Sequence, residues 1–217
     1  MLFSDSGVEG EYKRWVKLIG PEDIYSSKTT VGLHDVLSAH FLILDFFSTE
    51  RDGLGVGGVG PKDLNLLHSA VYRQFTSFGG KEKWPTPYEK CATLMYGIVK
   101  NHPFHDANKR TAFLVALLFL ERMGRIPRIK QKEFEDFVVN VADDQLQNYA
   151  RYRDSKAVDF DPEVRFIADF LKRNTRDVDH QTYTVTFNEL NQILRRYGFE
   201  LASPSGNFIN VVRPEHR

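Results

Sequence analysis

The segment HPFHDANKR, from His102 to Arg110, places several ionisable side chains directly before an apolar run that starts at Ala112. The apolar run predicts a buried helix, so this segment stands at the N-terminus of that helix. A helix N-terminus carries unpaired N–H groups and a partial positive charge, and both attract anions. Lys109 and Arg110 oppose that charge by about 0.3–1 kcal/mol each, which favours a bound polyanion, with phosphate as the first candidate.

The other polar side chains of this segment predict a reaction centre beside the phosphate. We assign His102 as the general base, because the ordinary pKa of a histidine suits proton abstraction near neutrality. Asp106 is expected to cap the helix or to hold Mg²⁺, which takes one or two carboxylates together with phosphate oxygens. Asn108 is expected to orient a phosphate or a metal-bound water, and Phe104 to anchor the loop in the core. His105 is expected to face solvent.

Two other interpretations of this segment remain open from spacing alone. In the first, it is only a loop between two helices, with Asp106 as the N-cap and with the two cations extended into solvent. In the second, His102, His105 and Asp106 form a transition-metal site for hydrolysis. The second interpretation leaves the amide and the two cations of the segment without a role.

A helix-start signature precedes the segment. Thr86 is the expected N-cap, Pro87 takes the first helical position, and Glu89 can reach back to the cap. This helix must end near Asn101, because the residue before Pro103 is pushed away from helical dihedrals. His102 is therefore expected at a break between two helices.

Apolar side chains recur at helical spacing in several further segments, which predicts a mainly α fold. A helix from about 107 to 123 is expected to be the central buried helix of the domain. The other predicted helices cover 33–47, a segment opened by Pro61, 131–150 and 161–173.

The pattern changes near the C-terminus, which predicts a division of the chain. Residues 175–182 are expected to form a linker, and residues 183–217 a small β-α-β-β accessory domain that adds an α/β appendage. An appendage of this size should lean on the main domain or on a partner, because it can bury little apolar surface alone. The main domain then covers 29–174, after an N-terminal extension over 1–28.

Composition restricts the classes of protein to consider. The chain has 217 residues, 41% of them hydrophobic, and 29 acidic side chains balance 29 basic ones, so an ordinary globular protein is expected and disorder throughout is excluded. The balance gives no reason to expect nucleic acid as a partner, except through Arg195 and Arg196 in the appendage. Cys91 is the only cysteine, and no apolar run approaches the roughly 20 residues of a membrane span. We therefore expect a soluble cytoplasmic protein without a secretory signal.

The sequence His102-Pro103-Phe104-x-Asp106-Ala107-Asn108-Lys109-Arg110 resembles the signature of the Fic/Doc (Fido) family. Within that family it is most similar to the Doc, or death-on-curing, branch, which has Ala-Asn-Lys-Arg where most Fic enzymes have Gly-Asn-Gly-Arg. The resemblance extends in weaker form over residues 29–174. It implies a Fido-type helical bundle with a short flap hairpin.

The resemblance also implies a reaction, namely transfer from Mg²⁺-ATP to a hydroxyl of a target protein. His102 would then be the base, Asp106 the metal ligand, and Ala107, Asn108, Lys109 and Arg110 the phosphate-binding residues. Ordinary Fic enzymes transfer AMP, whereas in the Doc branch the nucleotide is reversed and offers its γ-phosphate, so the implied product is a phosphorylated Ser or Thr.

Departures from the Fic pattern bear on that choice of reaction. Lys109 fills space that glycine leaves open for phosphates, and Phe113 stands where Fic enzymes usually keep a second arginine. These departures favour a Doc-type protein kinase. AMP transfer and a non-catalytic binding module with the same fold remain as alternatives.

The resemblance further implies partners. A polar, glycine-containing segment matches the flap that aligns a target by main-chain pairing. Doc-like toxins are held in check by an antitoxin, and targets in the translation machinery are the first to consider. The predicted flap consists of Thr76, Ser77, Phe78, Gly79, Gly80, Lys81, Glu82, Lys83 and Trp84.

Two further motifs are weaker. Gly55–Gly60 satisfies the G-x-G-x-x-G pattern of a phosphate loop, but the preceding segment has a helical rather than a strand period, so an interhelical loop is favoured. The segment Ser48–Gly53 resembles the inhibitory helix of many Fic proteins, but it has Asp52 where the inhibitory glutamate belongs. Inhibition is therefore expected to come from another chain.

Overall fold

The computed structural model describes residues 3–48, 59–156, 160–179, 184–203 and 208–213. Over these residues the fold is mainly α with small sheets, as predicted. None of the described helices is long and apolar enough to cross a membrane. The helices are α1 (Ser6–Ile19), α2 (Leu33–Ser48), α3 (Leu64–Tyr72), α4 (Pro87–Asn101), α5 (Asn108–Arg122), α6 (Gln131–Ala142), α7 (Ala150–Lys156), α8 (Pro162–Arg173) and α9 (Phe187–Arg195).

The strands of the described residues form small antiparallel pairs. They are β1 (Ser77–Phe78) with β2 (Lys81–Glu82), β3 (Arg125–Pro127) with β4 (Thr175–Asp177), and β5 (Glu200–Leu201) with β6 (Val211–Val212). Short 3₁₀ helices cover Arg73–Phe75 and Leu146–Asn148. The chain divides into two compact units, Met1–Val178 and Asp179–Arg217.

Helix α4 forms the centre of the first unit, where it packs against α3, α5, α6 and α8. It begins with the predicted capping box, in which Thr86 and Glu89 bond each other's backbone N–H groups, and it ends at Asn101. Its close approach to α3 depends on Gly97, because a Cβ there would lie 3.1 Å from the Cα of Ala70. The expectation that the helix after the HPFHDANKR segment is the central one was wrong. That helix, α5, keeps one side only partly buried, including Phe113 and Leu117.

Several predicted boundaries were also wrong. Pro61 does not open a helix but pairs as an isolated β-bridge with Phe104, and α3 starts after its N-cap Asp63. The helix predicted over 131–150 ends at Ala142 and is followed by a 3₁₀ turn. The first residues of the predicted linker 175–182 instead form β4, which pairs with β3. The N-terminal extension over 1–28 stays a prediction, and its described residues include α1, which packs against α2.

The second unit contains α9, whose N-terminus has a capping box formed by Thr186 and Glu189. The described part of the expected first strand, 184–186, is not a strand, because Thr186 serves as that N-cap. The two strands expected after the helix are present as β5 and β6. The turn between them and the first two residues of the predicted first strand lie outside the described residues.

Candidate active site

The loop between α4 and α5 turns through two residues in the left-handed region. His102 ends α4 with φ 48°, and Ala107 precedes α5 with φ 58°. This conformation costs a residue other than glycine about 1–2 kcal/mol, so the surrounding contacts must stabilise it. The left-handed turn at Ala107 also gives a physical reason for the glycine that most Fic enzymes have at this position.

A neighbouring backbone segment holds the loop from the other side. The N–H of Lys62 donates to the carbonyl of Pro103 at 2.7 Å, and the N–H of His105 donates to that of Gly60 at 3.4 Å. These bonds flank the bridge between Pro61 and Phe104. The first part of the loop, from Pro103 to His105, is therefore paired with residues 60–62.

Phe104 is the buried anchor that the sequence predicted, with 1% of its surface exposed. Its backbone is clamped by Asn108, whose Oδ1 accepts from the Phe104 N–H at 3.0 Å and whose Nδ2 donates to the Phe104 carbonyl at 2.9 Å. Both polar groups of the Asn108 side chain are thus used in hydrogen bonds that hold the loop. The prediction that this side chain orients a phosphate or a water does not fit, and the backbone N–H of Asn108 is the group that remains for a phosphate.

His40 on α2 supports the same anchor and was missed by the sequence reasoning. Its ring stacks on Phe104 at 3.8 Å between centroids, and its Nδ1 lies 3.0 Å from Thr111 Oγ1. Burial, with smaller contributions from the charges of Arg110 and His105, lowers the pKa of His40 to about 3, so the ring is neutral. The helical spacing between His40 and the buried apolar residues of α2 indicates that its side chain is buried as well.

The loop and the start of α5 line one cleft of about 450 Å³. His102 and His105 are both exposed there. The sequence predicted that His105 faces solvent, and the structure shows that this exposed side chain also lines the cleft. Val139 of α6 also lines the cleft and was not predicted. The lining residues are His102, His105, Asp106, Ala107, Asn108, Lys109, Arg110 and Val139.

Both cations of the first turn have partners within the chain. Lys109 Nζ lies 2.6 Å from Asp143 Oδ1 just after α6, and Arg110 lies 3.4 Å from Asp106 Oδ2. The Arg110 guanidinium also lies over the ring of Phe47, 4.5 Å from its centroid. These pairs are about half exposed and individually weak, so a phosphate can displace the carboxylates. The cations alone therefore do not require a phosphate.

The backbone at the start of α5 gives the stronger argument for an anion site. Ala107 provides no side-chain cap, and the first helical donor is the Thr111 N–H, which donates to the Ala107 carbonyl at 2.8 Å. Within the described part of the chain, the N–H groups of Asn108, Lys109 and Arg110 have no acceptor. Such N–H groups at a helix N-terminus bind phosphate oxygens well.

Asp106 is the carboxylate among the residues that line the cleft. Its weak contact with Arg110 leaves carboxylate oxygens for a cation, and Mg²⁺ ordinarily takes one or two carboxylates with phosphate oxygens and waters. The site therefore fits Mg²⁺ that arrives with a nucleotide. Among the residues described, no three His, Cys, Asp or Glu side chains are grouped to hold a metal ion, so the geometry gives no support to the hydrolytic site of His102, His105 and Asp106.

The predicted flap is a two-stranded hairpin, β1 and β2, with Gly79 and Gly80 at positive φ in its turn. It is fixed at its base by the buried Trp84 and by a 2.6 Å ion pair between Lys83 and Asp161, while Phe78 at its tip is 84% exposed. The flap residues are not among those that line the cleft. The predicted glycine-rich loop and inhibitory segment fall largely in 49–58, outside the described residues.

Comparisons with known proteins identify relatives of this chain. A sequence model of the Fic/DOC family matches residues 29–120, which include the whole HPFHDANKR segment. The chain is 34% identical over 94 residues to the toxin Doc of Mycolicibacterium smegmatis, which covers 43% of this chain and 68% of that protein.

The chain is also similar to proteins named protein adenylyltransferase Fic. It is 29% identical over 171 residues to the one from Drosophila ananassae and 28% identical over 159 residues to the one from Aedes aegypti. These alignments cover 71% and 72% of this chain but only 32% and 30% of those relatives, so it spans less than a third of their length.

Proposed function

Because the chain belongs to the Fic/DOC family, we propose that it is a Doc-type transferase that phosphorylates a Ser or Thr hydroxyl of a target protein, with Mg²⁺-ATP as donor. One observation carries the proposal. Asn108, Lys109 and Arg110, whose N–H groups have no acceptor among the described residues, line the same cleft as His102 and Asp106. An anion site, a base and a metal ligand are thus grouped as phosphoryl transfer requires.

In this proposal each residue acts on a defined atom. The start of α5 binds phosphate oxygens through its N–H groups, and Lys109 and Arg110 neutralise the charge that grows on them. His102 accepts the proton of the attacking hydroxyl, because its exposed position in the cleft lets a target segment approach. Asp106 would hold Mg²⁺ together with the phosphates, and the bound ion would supply Lewis-acid stabilisation of the phosphoryl oxygens.

The choice of phosphoryl over AMP transfer rests on the departures from the Fic pattern. The Lys109 side chain reaches Asp143 with its Nζ, and a glycine at this position would leave the space of that side chain open. Phe113 supplies no charge at the position of the second arginine, and it lies in apolar surroundings beside Phe134. AMP transfer is the second candidate, and the similarity to the named adenylyltransferases favours it.

The similarity to a protein named toxin Doc supports a toxin role with a separately encoded antitoxin. A target in the translation machinery, which only the resemblance to the Doc branch implies, is the first to test. The flap would align that target by main-chain pairing, since among the described strands β1 and β2 pair only with each other and their outer edges are open.

The test is to incubate the protein with cell lysate and ATP labelled at either the α- or the γ-phosphate. Protein-bound label from the γ-phosphate alone is expected, and it should be lost in His102→Ala. His105→Ala is the matched control, because His105 also lines the cleft and is exposed but has no assigned role. Label from the α-phosphate would establish AMP transfer instead, and no His102-dependent label from either position would favour a binding module.

A further inference from the structure

The second unit exposes much of its apolar surface. Within its described residues no side chain is buried, although this unit contains a helix and a strand pair. Apolar surface that is left exposed and bordered by polar residues is typical of an interaction surface. The exposed large apolar side chains of this unit are Val185, Phe187, Leu190, Ile193, Tyr197, Phe199, Phe208, Ile209 and Val211.

One face of the β5–β6 hairpin is open. Leu201 lies opposite Val211, and side chains alternate along a strand, so Phe199 and Arg213 belong to the same face of the hairpin as this pair. Glu200 belongs to the opposite face, where its carboxylate lies 4.0 Å from an arginine of α9. Helix α9 therefore covers the face with Glu200. Among the described residues, nothing covers the face with Phe199, and Val211 on that face is 55% exposed.

Aromatic rings and guanidinium groups lie together at this open face. The Arg213 guanidinium lies over the Phe199 ring, 5.9 Å from its centroid. The Phe199 N–H donates to the Leu194 carbonyl at 3.0 Å, which holds the end of α9 beside the hairpin. Arg196 and Tyr197 follow at that end, and Tyr197 is 73% exposed. We call Arg196, Tyr197, Phe199 and Arg213 the basic-aromatic surface.

The charge of the basic-aromatic surface favours a polyanion as its partner. Among the described residues, neither Arg196 nor Arg213 forms an ion pair, whereas Glu200 lies beside Arg195 and Glu189 is used in the capping box at the other end of α9. A second copy of the chain would bring further cations against these two, so self-association through this surface is disfavoured. Arginine binds phosphate oxygens and also stacks on flat rings.

We propose that the basic-aromatic surface binds single-stranded nucleic acid. The phosphates contact Arg196 and Arg213, and the bases stack on the rings of Tyr197 and Phe199. Single strands fit better than duplexes, because only their bases are free to stack on side chains. The balanced charge of the whole chain does not reveal such a surface, since the sum hides a local excess of cations.

The test measures the fluorescence anisotropy of labelled oligonucleotides with the full chain. Single-stranded RNA, single-stranded DNA and a DNA duplex of one sequence, about 12 nucleotides long, are compared. Affinity for the single strands should fall with salt between about 50 and 200 mM, with a slope of about −1.4 on logarithmic axes for two phosphate contacts. The duplex should bind more weakly than either strand.

Variants separate the contribution of charge from that of stacking. Arg196→Gln combined with Arg213→Gln should lower the affinity and bring the slope close to zero, whereas the corresponding lysine variants should keep the slope. Tyr197→Ala should weaken binding at least about fivefold at each salt concentration and leave the slope unchanged. Arg14→Gln is the matched control, because Arg14 is an exposed arginine of the first unit, and it should change neither quantity.

Binding of either single strand with these dependences supports the proposal, and the tighter of the two identifies the nucleic acid. Failure of both strands to bind, or a salt slope that the paired glutamine variant leaves unchanged, would overturn it. Self-association that these variants abolish, without oligonucleotide binding, would assign the surface to a second copy instead. The experiment contains no ATP, so its failure leaves the proposed transferase function untouched.

Discussion

The neutral, buried His40 leads to a quantitative prediction for the stability of the site. Its ring is 1% exposed and stacked on Phe104, and burial lowers its pKa from 6.5 to about 3. In the unfolded chain the same imidazole titrates at its ordinary pKa. Below about pH 6.5, therefore, the His40 ring binds a proton in the unfolded chain but stays neutral in the folded protein.

The size of the effect follows from this difference. Above about pH 6.5 both states hold a neutral ring and the contribution to stability is complete. As the pH falls from 6.5 towards 3, the unfolded state gains the proton first, and the free energy of unfolding declines by up to 1.36 kcal/mol per pH unit. Between pH 7 and pH 5, His40 alone should cost about 2 kcal/mol.

The assay is urea unfolding at pH 7 and pH 5, for the natural protein and for His40→Asn. An asparagine can keep the hydrogen bond to Thr111 but does not titrate. Both tryptophans, Trp15 and Trp84, lie in the first unit, so their fluorescence reports on the unit that contains the site.

The natural protein should lose about 2 kcal/mol more than the variant between the two pH values, because other titrating groups cancel in the comparison. Equal losses in the two proteins would refute the argument that the fold holds His40 neutral.

Further predictions concern the loop and the first turn of α5. Ala107→Gly should stabilise the protein by about 0.5–1 kcal/mol in urea unfolding, because relief of the left-handed strain exceeds the added freedom of the unfolded chain; a loss of stability would contradict the strained turn. Asn108→Ala should destabilise by about 2–3 kcal/mol, because two hydrogen bonds to the buried Phe104 backbone are lost, and an unchanged unfolding midpoint would disprove the clamp. Asp143→Asn should change the free energy of unfolding by less than about 1 kcal/mol. It should tighten Mg²⁺-ATP binding measured by calorimetry, because it frees Lys109 from its ion pair. Weaker binding would argue against a phosphate role for Lys109.

The features that the sequence predicted well depend on residues close together in the chain. The capping box of Thr86 and Glu89 involves only one helical turn, and the stop before Pro103 is imposed by its own ring. The position of His102 between two helices follows from these local effects. The mainly α fold follows in the same way from apolar periodicity within each helix.

The features that the sequence missed depend on contacts between distant residues. Pro61 suits a first helical turn, but its pairing with Phe104 prevails over that local preference. The spacing of His40 indicated burial, although nothing in the sequence identified Phe104 as the ring it stacks on. The role of Asn108 was assigned from its residue type, whereas its side chain is committed by the path of the Phe104 backbone.

We propose above all that a nucleoside triphosphate binds at the start of α5 with its γ-phosphate towards His102. The most direct measurement is a crystal structure with Mg²⁺ and a non-hydrolysable ATP analogue, in which the distance from the His102 ring to each phosphorus is compared. The account predicts that the γ-phosphorus lies nearest to His102. An α-phosphorus nearest to His102 would contradict it and would establish the arrangement for AMP transfer.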